Sequence, residues 1–147
     1  FNNLKLIEEI AKYFGNQSIV GSIDVKQSFW GKQKVYSHHG KQKQNVDIVQ
    51  WAKQLENTGV GELLITSVDR EGSWDGYDLD LIKSITQNVQ VPVIANGGCG
   101  TVEHIGEVIK KANASACAVG SMVVYQKKEM GVLVNFPDRK RLEEVLR

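Results

Sequence analysis

The chain has 147 residues, 41% of them hydrophobic and 24% charged, and its eighteen lysines and arginines balance seventeen aspartates and glutamates. This composition predicts one globular domain and argues against partners such as nucleic acid or an acidic membrane surface, which a strongly basic protein would attract. The apolar runs are far shorter than the roughly 20 residues that cross a bilayer, and two cysteines are too few for a disulfide framework, so we expect a cytoplasmic protein.

Amphipathic segments of helix length alternate with short β-rich segments along the chain. Apolar residues at helical spacing predict helices, whereas runs of β-branched and apolar residues predict strands. In chain order the pattern predicts a helix over 4–14, a strand over 18–25, a polar segment over 26–45 in which 34–37 can pair as a small hairpin, a helix over 46–57, a strand over 62–69, a helix over 79–88, a strand over 91–96, a helix over 101–111, a strand over 115–121 and a helix over 138–147.

This alternation predicts a single α/β domain over residues 1–147. Short connections between strands and helices favour parallel strands with right-handed crossovers. Two architectures fit, a small doubly wound sheet or part of a (β/α)₈ barrel. A complete barrel takes roughly 250 residues and eight strands, so four strands correspond to half of one. The chain begins with Phe1 partway through a helix, and we expect it to be a fragment or a processed form.

Polar residues follow the predicted strands at one end. Asp24 ends the first strand, Thr66 and Ser67 the second, and Asn96 the third. In parallel α/β folds these carboxyl ends carry the ligand site. A carboxylate there suits general acid/base catalysis, although Asp24 could instead cap a helix or pair with Lys26.

Two corners of small residues suggest a phosphate site. Residues 96–101 form a glycine-rich turn from a strand into a helix, and residues 119–121 form a second small corner. Glycines let backbone N–H groups approach a phosphate, although they could also serve merely to turn the chain. The polar loop 69–78 could close over such a ligand through Gly72, or it could be a solvated loop.

Several other polar residues have a less specific signal. Adjacent His38 and His39 are more typical of solvated or substrate-edge residues than of metal ligands, and no spacing suits zinc. Cys99 could be a nucleophile, but no base lies near it in sequence, and Cys117 is typical of a core residue. Glu62 opens an otherwise apolar strand at the opposite end from the glycine corners, where it would need a cationic partner.

The chain resembles the cyclase subunit of imidazole glycerol phosphate synthase in four segments: SIDVK (22–26), GVGELLITSVDREGSWDGYD (59–78), PVIANGGCG (92–100) and AVGSMV (118–123). That family is a (β/α)₈ barrel built from two similar halves, each with one phosphate site. The resemblance covers nearly the whole chain and implies the last helix of the N-terminal half plus the C-terminal (β/α)₄ half-barrel.

The resemblance also implies roles for individual residues. Asp24 matches a catalytic aspartate, and Glu62 resembles a gate residue at the barrel bottom, where ammonia enters from a glutaminase subunit. No metal or organic cofactor is implied. The family forms imidazole glycerol phosphate and aminoimidazole carboxamide ribotide from a phosphorylated substrate during histidine biosynthesis. Together with the glycine-rich turn, the resemblance predicts phosphate contacts from Glu71, Gly72, Asn96, Gly97, Gly98, Gly120 and Ser121.

The sequence departs from that family at three places. Glu71 stands where the family usually has Asp, Asn96 where it has Ser, and the tail over 123–146 is similar to a paralogous group that delivers ammonia for sugar amidation in surface-polysaccharide biosynthesis. Two alternatives therefore stand beside the cyclase, namely that paralogue and a non-catalytic phosphate-binding half-barrel. A half-barrel exposes a concave face and two strand edges, so we expect the isolated chain to form a homo-oligomer.

Overall fold

Six strands form one sheet in the computed structural model, which describes residues 1, 3–28, 31–37, 41–126, 128 and 131–147. Their spatial order is β3-β2-β1-β4-β5-β6. The histidines His38 and His39 lie outside the described residues. The strands span β1 (Val20–Gln27), β2 (Gln33–Ser37), β3 (Gln42–Lys43), β4 (Glu62–Ser67), β5 (Val93–Asn96) and β6 (Ala116–Cys117).

Strands β1, β4, β5 and β6 are parallel neighbours, as the alternating pattern predicts. Strands β2 and β3 extend the sheet in antiparallel fashion, so the hairpin expected within the polar segment is present. Helices connect or flank these strands: α1 (Leu4–Phe14), α2 (Ile48–Thr58), α3 (Leu79–Thr86), α4 (Val102–Ala112), α5 (Ser121–Val124) and α6 (Arg139–Leu146).

The helices cover one face of the sheet and leave the other accessible. Ile23, Leu63, Ile65 and Val93 are almost completely buried in the core on the helix side. The intervening residues form the open face of the sheet, which carries Val20, Ser22, Asp24, Glu62, Leu64, Thr66, Ile94 and Asn96. The exposed concave face expected of a half-barrel is therefore present, and five of these eight side chains are polar.

Helix ends follow the predicted capping chemistry. The side chains of Asp78 and Asp138 accept hydrogen bonds from the backbone N–H groups of Leu81 at 3.0 Å and Arg141 at 3.2 Å, as N-cap residues do. The fourth parallel strand is shorter than predicted. Its last ladder contact joins the N–H of Ala118 to a β5 carbonyl at 2.8 Å, after which the chain turns into α5.

Candidate functional site

A cavity of about 190 Å³ opens where β4, β5 and β6 end. We call it the strand-end cavity. All seven residues predicted to contact phosphate line it, together with Cys99, which the sequence singled out only as a possible nucleophile, and Ala118. The complete lining is Glu71, Gly72, Asn96, Gly97, Gly98, Cys99, Ala118, Gly120 and Ser121. The fold thus brings together residues from three separate loops, and their binding of phosphate stays a prediction.

The lining offers unpaired backbone donors. Within the described residues, the N–H groups of Gly72, Gly98 and Gly120 make no hydrogen bond to a protein acceptor. Backbone N–H groups that converge on a cavity without side chains form an anion-binding concavity. The arrangement therefore suits a phosphate or another small anion.

Gly98 sets the close approach between the glycine-rich turn and the loop 69–78. Its φ of 104° is in the left-handed region, and a Cβ atom there would overlap the carbonyl oxygen of Gly76. The N–H of Gly76 in turn donates to the carbonyl of Gly98 at 2.8 Å. Glycine is required at this position because no side chain fits between the two backbones.

The loop 69–78 is bonded to β1 at its start and braced by a hydrogen bond within the loop. A carboxylate oxygen of Asp69 accepts the N–H of Gln27 at 2.6 Å, and Arg70 donates from Nη1 to the carbonyl of Gly76 at 3.0 Å. Between these anchors, a Cβ atom at Gly72 would lie 4.0 Å from the hydroxyl oxygen of Ser121. Gly72 and Ser121 therefore face each other across the cavity.

A polar row crosses the open face next to the cavity. Asp24 is the register partner of Thr66, and Thr66 is the partner of Asn96. The side-chain amide of Asn96 donates to the hydroxyl of Thr66 at 3.1 Å. Neighbouring strands are roughly 4.8 Å apart, so the half-buried Asp24 lies two strands, or roughly 10 Å, from Asn96 at the cavity wall.

The two alternative roles for Asp24 find no support. It lies in the middle of β1 and not at a helix start. The ion pairs formed within the described residues do not include it or Lys26. Asp24 is thus a carboxylate on the accessible face, one strand from the hydroxyl of Thr66.

Glu62 lies at the other end of the sheet. It is the first residue of β4, is half-buried, and is the register partner of Val20 at the start of β1. Four residues separate it from Thr66, which corresponds to roughly 13 Å along a strand. Glu62 is therefore remote from the strand-end cavity, as predicted from its place in the sequence, while its role stays a prediction.

The two cysteines are buried or partly buried, Cys99 in the lining of the cavity and Cys117 in β6. Burial raises the pKa of the Cys99 and Cys117 thiols, and burial also raises the pKa of Tyr77, whose hydroxyl donates to the carbonyl of Ala118 at 2.8 Å. A thiol that stays protonated is a poor nucleophile. The environment favours a packing role for Cys99 over the nucleophilic role considered from sequence.

A larger cavity of about 600 Å³ lies on the outer side of the glycine-rich turn, between that turn and the segment leading into α6. Trp74, Met122 and Phe136 contribute its apolar wall. Arg141 contacts Glu103 at 2.5 Å, and this hydrogen bond lowers the pKa of the exposed Glu103 carboxyl to about 2. The sequence pattern gave no signal for this cavity, because its walls come from distant segments.

Comparison with known proteins identifies relatives of the chain. The model of a family described as histidine biosynthesis protein matches residues 1–129. The chain is 41% identical over 141 residues to a Pseudomonas aeruginosa protein provisionally named imidazole glycerol phosphate synthase subunit hisF2, covering 96% of this chain and 56% of that protein. It is 37% identical over 150 residues to the imidazole glycerol phosphate synthase subunit HisF of Methanococcus vannielii, covering 87% and 54% respectively.

The chain therefore spans about half the length of the curated relatives it matches. No helix among the described residues is long and apolar enough to cross a membrane.

Proposed function

This chain belongs to the histidine biosynthesis protein family, and from that premise we propose that it supplies the C-terminal half of an ammonia-using cyclase barrel. Its four parallel strands and their helices are part of a (β/α)₈ barrel. The observation that carries the proposal is the convergence of seven predicted residues on one cavity, beside the polar row that contains Asp24. The resulting enzyme forms imidazole glycerol phosphate and aminoimidazole carboxamide ribotide.

In this proposal the strand-end cavity holds one phosphate of the substrate. Its unpaired backbone N–H groups bind the phosphate oxygens, and Ser121 offers a hydroxyl from the facing wall. An anchored phosphate fixes the rest of the substrate across the open face, which converts binding energy into orientation of the reacting atoms.

Asp24 acts as the general acid/base of this half. It lies roughly 10 Å from the cavity wall on the open face, where a substrate anchored by its phosphate passes over it. An ionised carboxylate takes a proton from attacking ammonia, and the protonated form returns it to the group that leaves. The family pattern pairs this aspartate with a second one on a strand outside this chain.

Ammonia enters from the opposite end of the barrel. Glu62 lies at that end, at the start of β4, and in this proposal it belongs to a charged gate that faces a glutaminase subunit. The open face between Glu62 and Asp24 carries Leu64 and Ser22, which line the path. The two functions of the barrel are thus placed at its two ends.

A second candidate substrate is a sugar, which would be amidated for a surface polysaccharide. The observation that favours it is the segment after residue 129, which the family model does not match. The family model stops at residue 129, and beyond it Val132 forms an antiparallel bridge with Tyr125, while Phe136 helps to wall the outer cavity. A changed loop at the carboxyl ends of the strands changes the substrate without changing the use of ammonia.

Titration of the chain with inorganic phosphate, followed by amide chemical shifts, tests the phosphate site. We expect the amides of Gly72, Gly98 and Ser121 to move along one saturable curve. The amide of Glu62 at the other end of β4 serves as an internal control and should stay in place. The proposal fails if the three cavity amides do not respond at phosphate concentrations that shift other loops.

Asp24→Asn, made in a form that contains both halves of the barrel, separates the enzyme from a non-catalytic phosphate-binding module. We expect most ammonia-dependent turnover to disappear while the circular dichroism spectrum and phosphate binding stay unchanged. Near-normal turnover in this variant would show that Asp24 is not the acid/base.

A further inference from the structure

The glycine-rich turn is bonded to a histidine that does not line the strand-end cavity. Thr101 is the N-cap of α4, and His104 lies half-buried in the first turn of that helix. The backbone N–H of Gly100 donates to Nδ1 of His104 at 3.2 Å. Gly100 follows the cavity residue Gly98 by two positions. The imidazole therefore supports the turn from outside the cavity.

The same imidazole lies beside the loop 69–78. A Cβ atom at Gly76 would be 3.4 Å from Cδ2 of His104 and 3.5 Å from its Nε2, which is ordinary contact. Gly76 is also the residue whose N–H donates to the carbonyl of Gly98 at 2.8 Å. His104 thus adjoins both backbone segments that meet at Gly98.

Trp74 limits the movement of Gly100 on another side. A Cβ atom at Gly100 would lie 2.6 Å from the carbonyl oxygen of Trp74 and 2.8 Å from its Cβ, which is closer than real atoms approach. The φ of Trp74 is 69°, a conformation that an L-residue keeps only where its surroundings fix it. Gly100 is therefore held by Trp74 and by the hydrogen bond to His104, and loss of that bond removes one of these two constraints.

The hydrogen bond from Gly100 requires a neutral imidazole. Nδ1 accepts a hydrogen only when it carries none of its own, which assigns the proton of the neutral ring to Nε2. In the imidazolium both ring nitrogens are donors, so an Nδ1–H would face the N–H of Gly100. Two donors that face each other repel. Protonation of His104 thus removes the contact that holds the turn.

Several charged groups surround this end of α4. The pKa of the Glu107 carboxyl is lowered by Lys111 and, more weakly, by positive charge on His104 one turn earlier. The start of the helix disfavours a positive charge, because its unpaired N–H groups carry a partial positive charge. The other ionisable residues of α4 and of the elements packed against it are Glu103, Lys110, Asp69, Arg70, Glu71, Asp75, Tyr77, Asp78, Asp80, Lys83, Cys117, Arg139, Lys140, Arg141, Glu143 and Glu144.

Histidine is the residue type in this sequence whose side chain changes charge between pH 5.5 and 7.5. Aspartates and glutamates stay ionised over this range, whereas lysines, arginines, tyrosines and buried thiols stay protonated. A pH effect on the turn in this range therefore comes from a histidine. The sequence has two others, His38 and His39, for which the experiment needs a control.

We propose that His104 is a positioning residue for the strand-end cavity, and that the cavity holds its anion firmly only while this imidazole is neutral. This deepens the proposed function and rests on it for the anion. Neutral His104 keeps Gly98 at the cavity wall, where its unpaired N–H meets the anion, and protonation releases the turn. Anion affinity thus rises with pH. Charge alone would give the opposite result, because an imidazolium attracts a nearby anion.

Titration of the chain with sulfate at pH 7.5 and at pH 5.5, followed by amide chemical shifts, tests the direction of the effect. Sulfate is the probe because it stays a dianion over this range, whereas a phosphate group gains a proton within it. We expect the affinity reported by the amides of Gly72, Gly98 and Ser121 to be at least about fivefold lower at pH 5.5, the low end of coupling between two sites. An equal or higher affinity at pH 5.5 would overturn the proposal.

Variants separate the proton of His104 from its bulk. His104→Asn keeps a neutral acceptor close to Nδ1, so its sulfate affinity should stay high and change less than about twofold with pH. His104→Phe keeps a ring without an acceptor, so its affinity should be low at both pH values. His38→Asn/His39→Asn is the matched control and should keep the pH dependence. Thermal melting confirms that each variant folds. PH dependence that persists in His104→Asn, or that disappears in the control, would contradict the assigned role.

A measurement on the unmodified chain decides the question even where a variant fails to fold. Binding that requires the neutral imidazole must favour the neutral imidazole in return. Sulfate should therefore move the midpoint of the His104 ring-proton titration downward by at least about 0.7 of a pH unit, which corresponds to fivefold coupling. A merely structural role predicts no movement and simple attraction predicts an upward movement, and either result would refute the positioning role.

The same spectra separate this inference from the proposed function. If sulfate moves no cavity amide at pH 7.5, the assignment of the phosphate site fails. The role of His104 is still decided in that case, because the amides of Gly76, Gly98 and Gly100 should follow the titration of its ring without sulfate. Amides that follow it support the positioning role. Amides that ignore it exclude that role, whether or not sulfate binds.

Discussion

Replacement of Gly98 by alanine is the sharpest perturbation of the strand-end cavity. The backbone at Gly98 has a φ of 104°, which costs an L-residue about 1–2 kcal/mol. The added methyl group also overlaps the carbonyl of Gly76, and overpacking of this kind costs about 1–3 kcal/mol. Gly98→Ala should therefore lower the free energy of unfolding by about 2–5 kcal/mol and push the loop 69–78 away from the cavity.

Gly72→Ala is the matched control for this experiment. Its φ of 69° is also left-handed, but the nearest atom to the new Cβ would be the Ser121 hydroxyl oxygen at 4.0 Å, which is ordinary contact. The backbone penalty of about 1–2 kcal/mol applies without the overlap. The difference between the two variants isolates the steric term at Gly98.

Urea denaturation followed by circular dichroism measures both free energies of unfolding. Phosphate titration of the folded variants then shows whether the displaced loop weakens anion binding in Gly98→Ala. Equal stabilities for Gly98→Ala and Gly72→Ala would refute the reasoning, because they would mean that the two backbones are not in contact at Gly76. A stable Gly98→Ala variant with unchanged phosphate shifts would refute the assigned role of the turn.

Four further outcomes are expected. The isolated chain should show no useful turnover in an assay with ammonia and the histidine-pathway substrate, because the proposed mechanism needs a second aspartate besides Asp24, and robust turnover would contradict this. Sedimentation equilibrium should give a mass above the 16.4 kDa of one chain, since the open face and the free strand edges favour self-association. A well-folded monomer would contradict this expectation. Cys99 and Cys117 should react slowly with iodoacetamide at pH 8 in the folded chain and rapidly after unfolding, because burial raises the pKa of both thiols. Equal reaction rates in the folded and unfolded states would contradict this. Arg141 lowers the pKa of the Glu103 carboxyl to about 2. Glu103→Gln should therefore reduce the free energy of unfolding above about pH 4.5, and this reduction should disappear as the pH falls toward 2. A reduction that does not change with pH would exclude the ion pair as its cause.

Local patterns predicted most elements of the fold because their signals lie within a few residues. The helix over 4–14 has the bounds expected from its apolar spacing, and the caps at Asp78 and Asp138 follow from side-chain chemistry one turn away. The strand predicted over 115–121 was too long, since Ala116–Cys117 alone pairs with β5. The end of that strand depends on where its neighbour β5 stops, which the residues of 115–121 do not encode.

The sequence also predicted the members of the strand-end cavity before their contacts were known. Residues at the carboxyl ends of parallel strands meet at one edge of a sheet, so the order of strands and small residues predicted the glycine corners, whereas Glu71 was implied by the family resemblance alone. The participation of Ala118 was missed, because its side chain gives no local signal of a ligand site, and Cys99 was considered only as a nucleophile.

The sequence by itself determined the parallel α/β architecture, the family, and the end of the sheet that carries the candidate site, because periodicity, capping and strand-end polarity act over short distances. The tertiary structure decided which side chains share a face. Lys26, Lys34 and Lys43 become neighbours of Asp24 only through antiparallel register, and a shift of one residue would turn alternate side chains to the core. Register depends on contacts between segments far apart in the chain, and that is why only the folded molecule shows it.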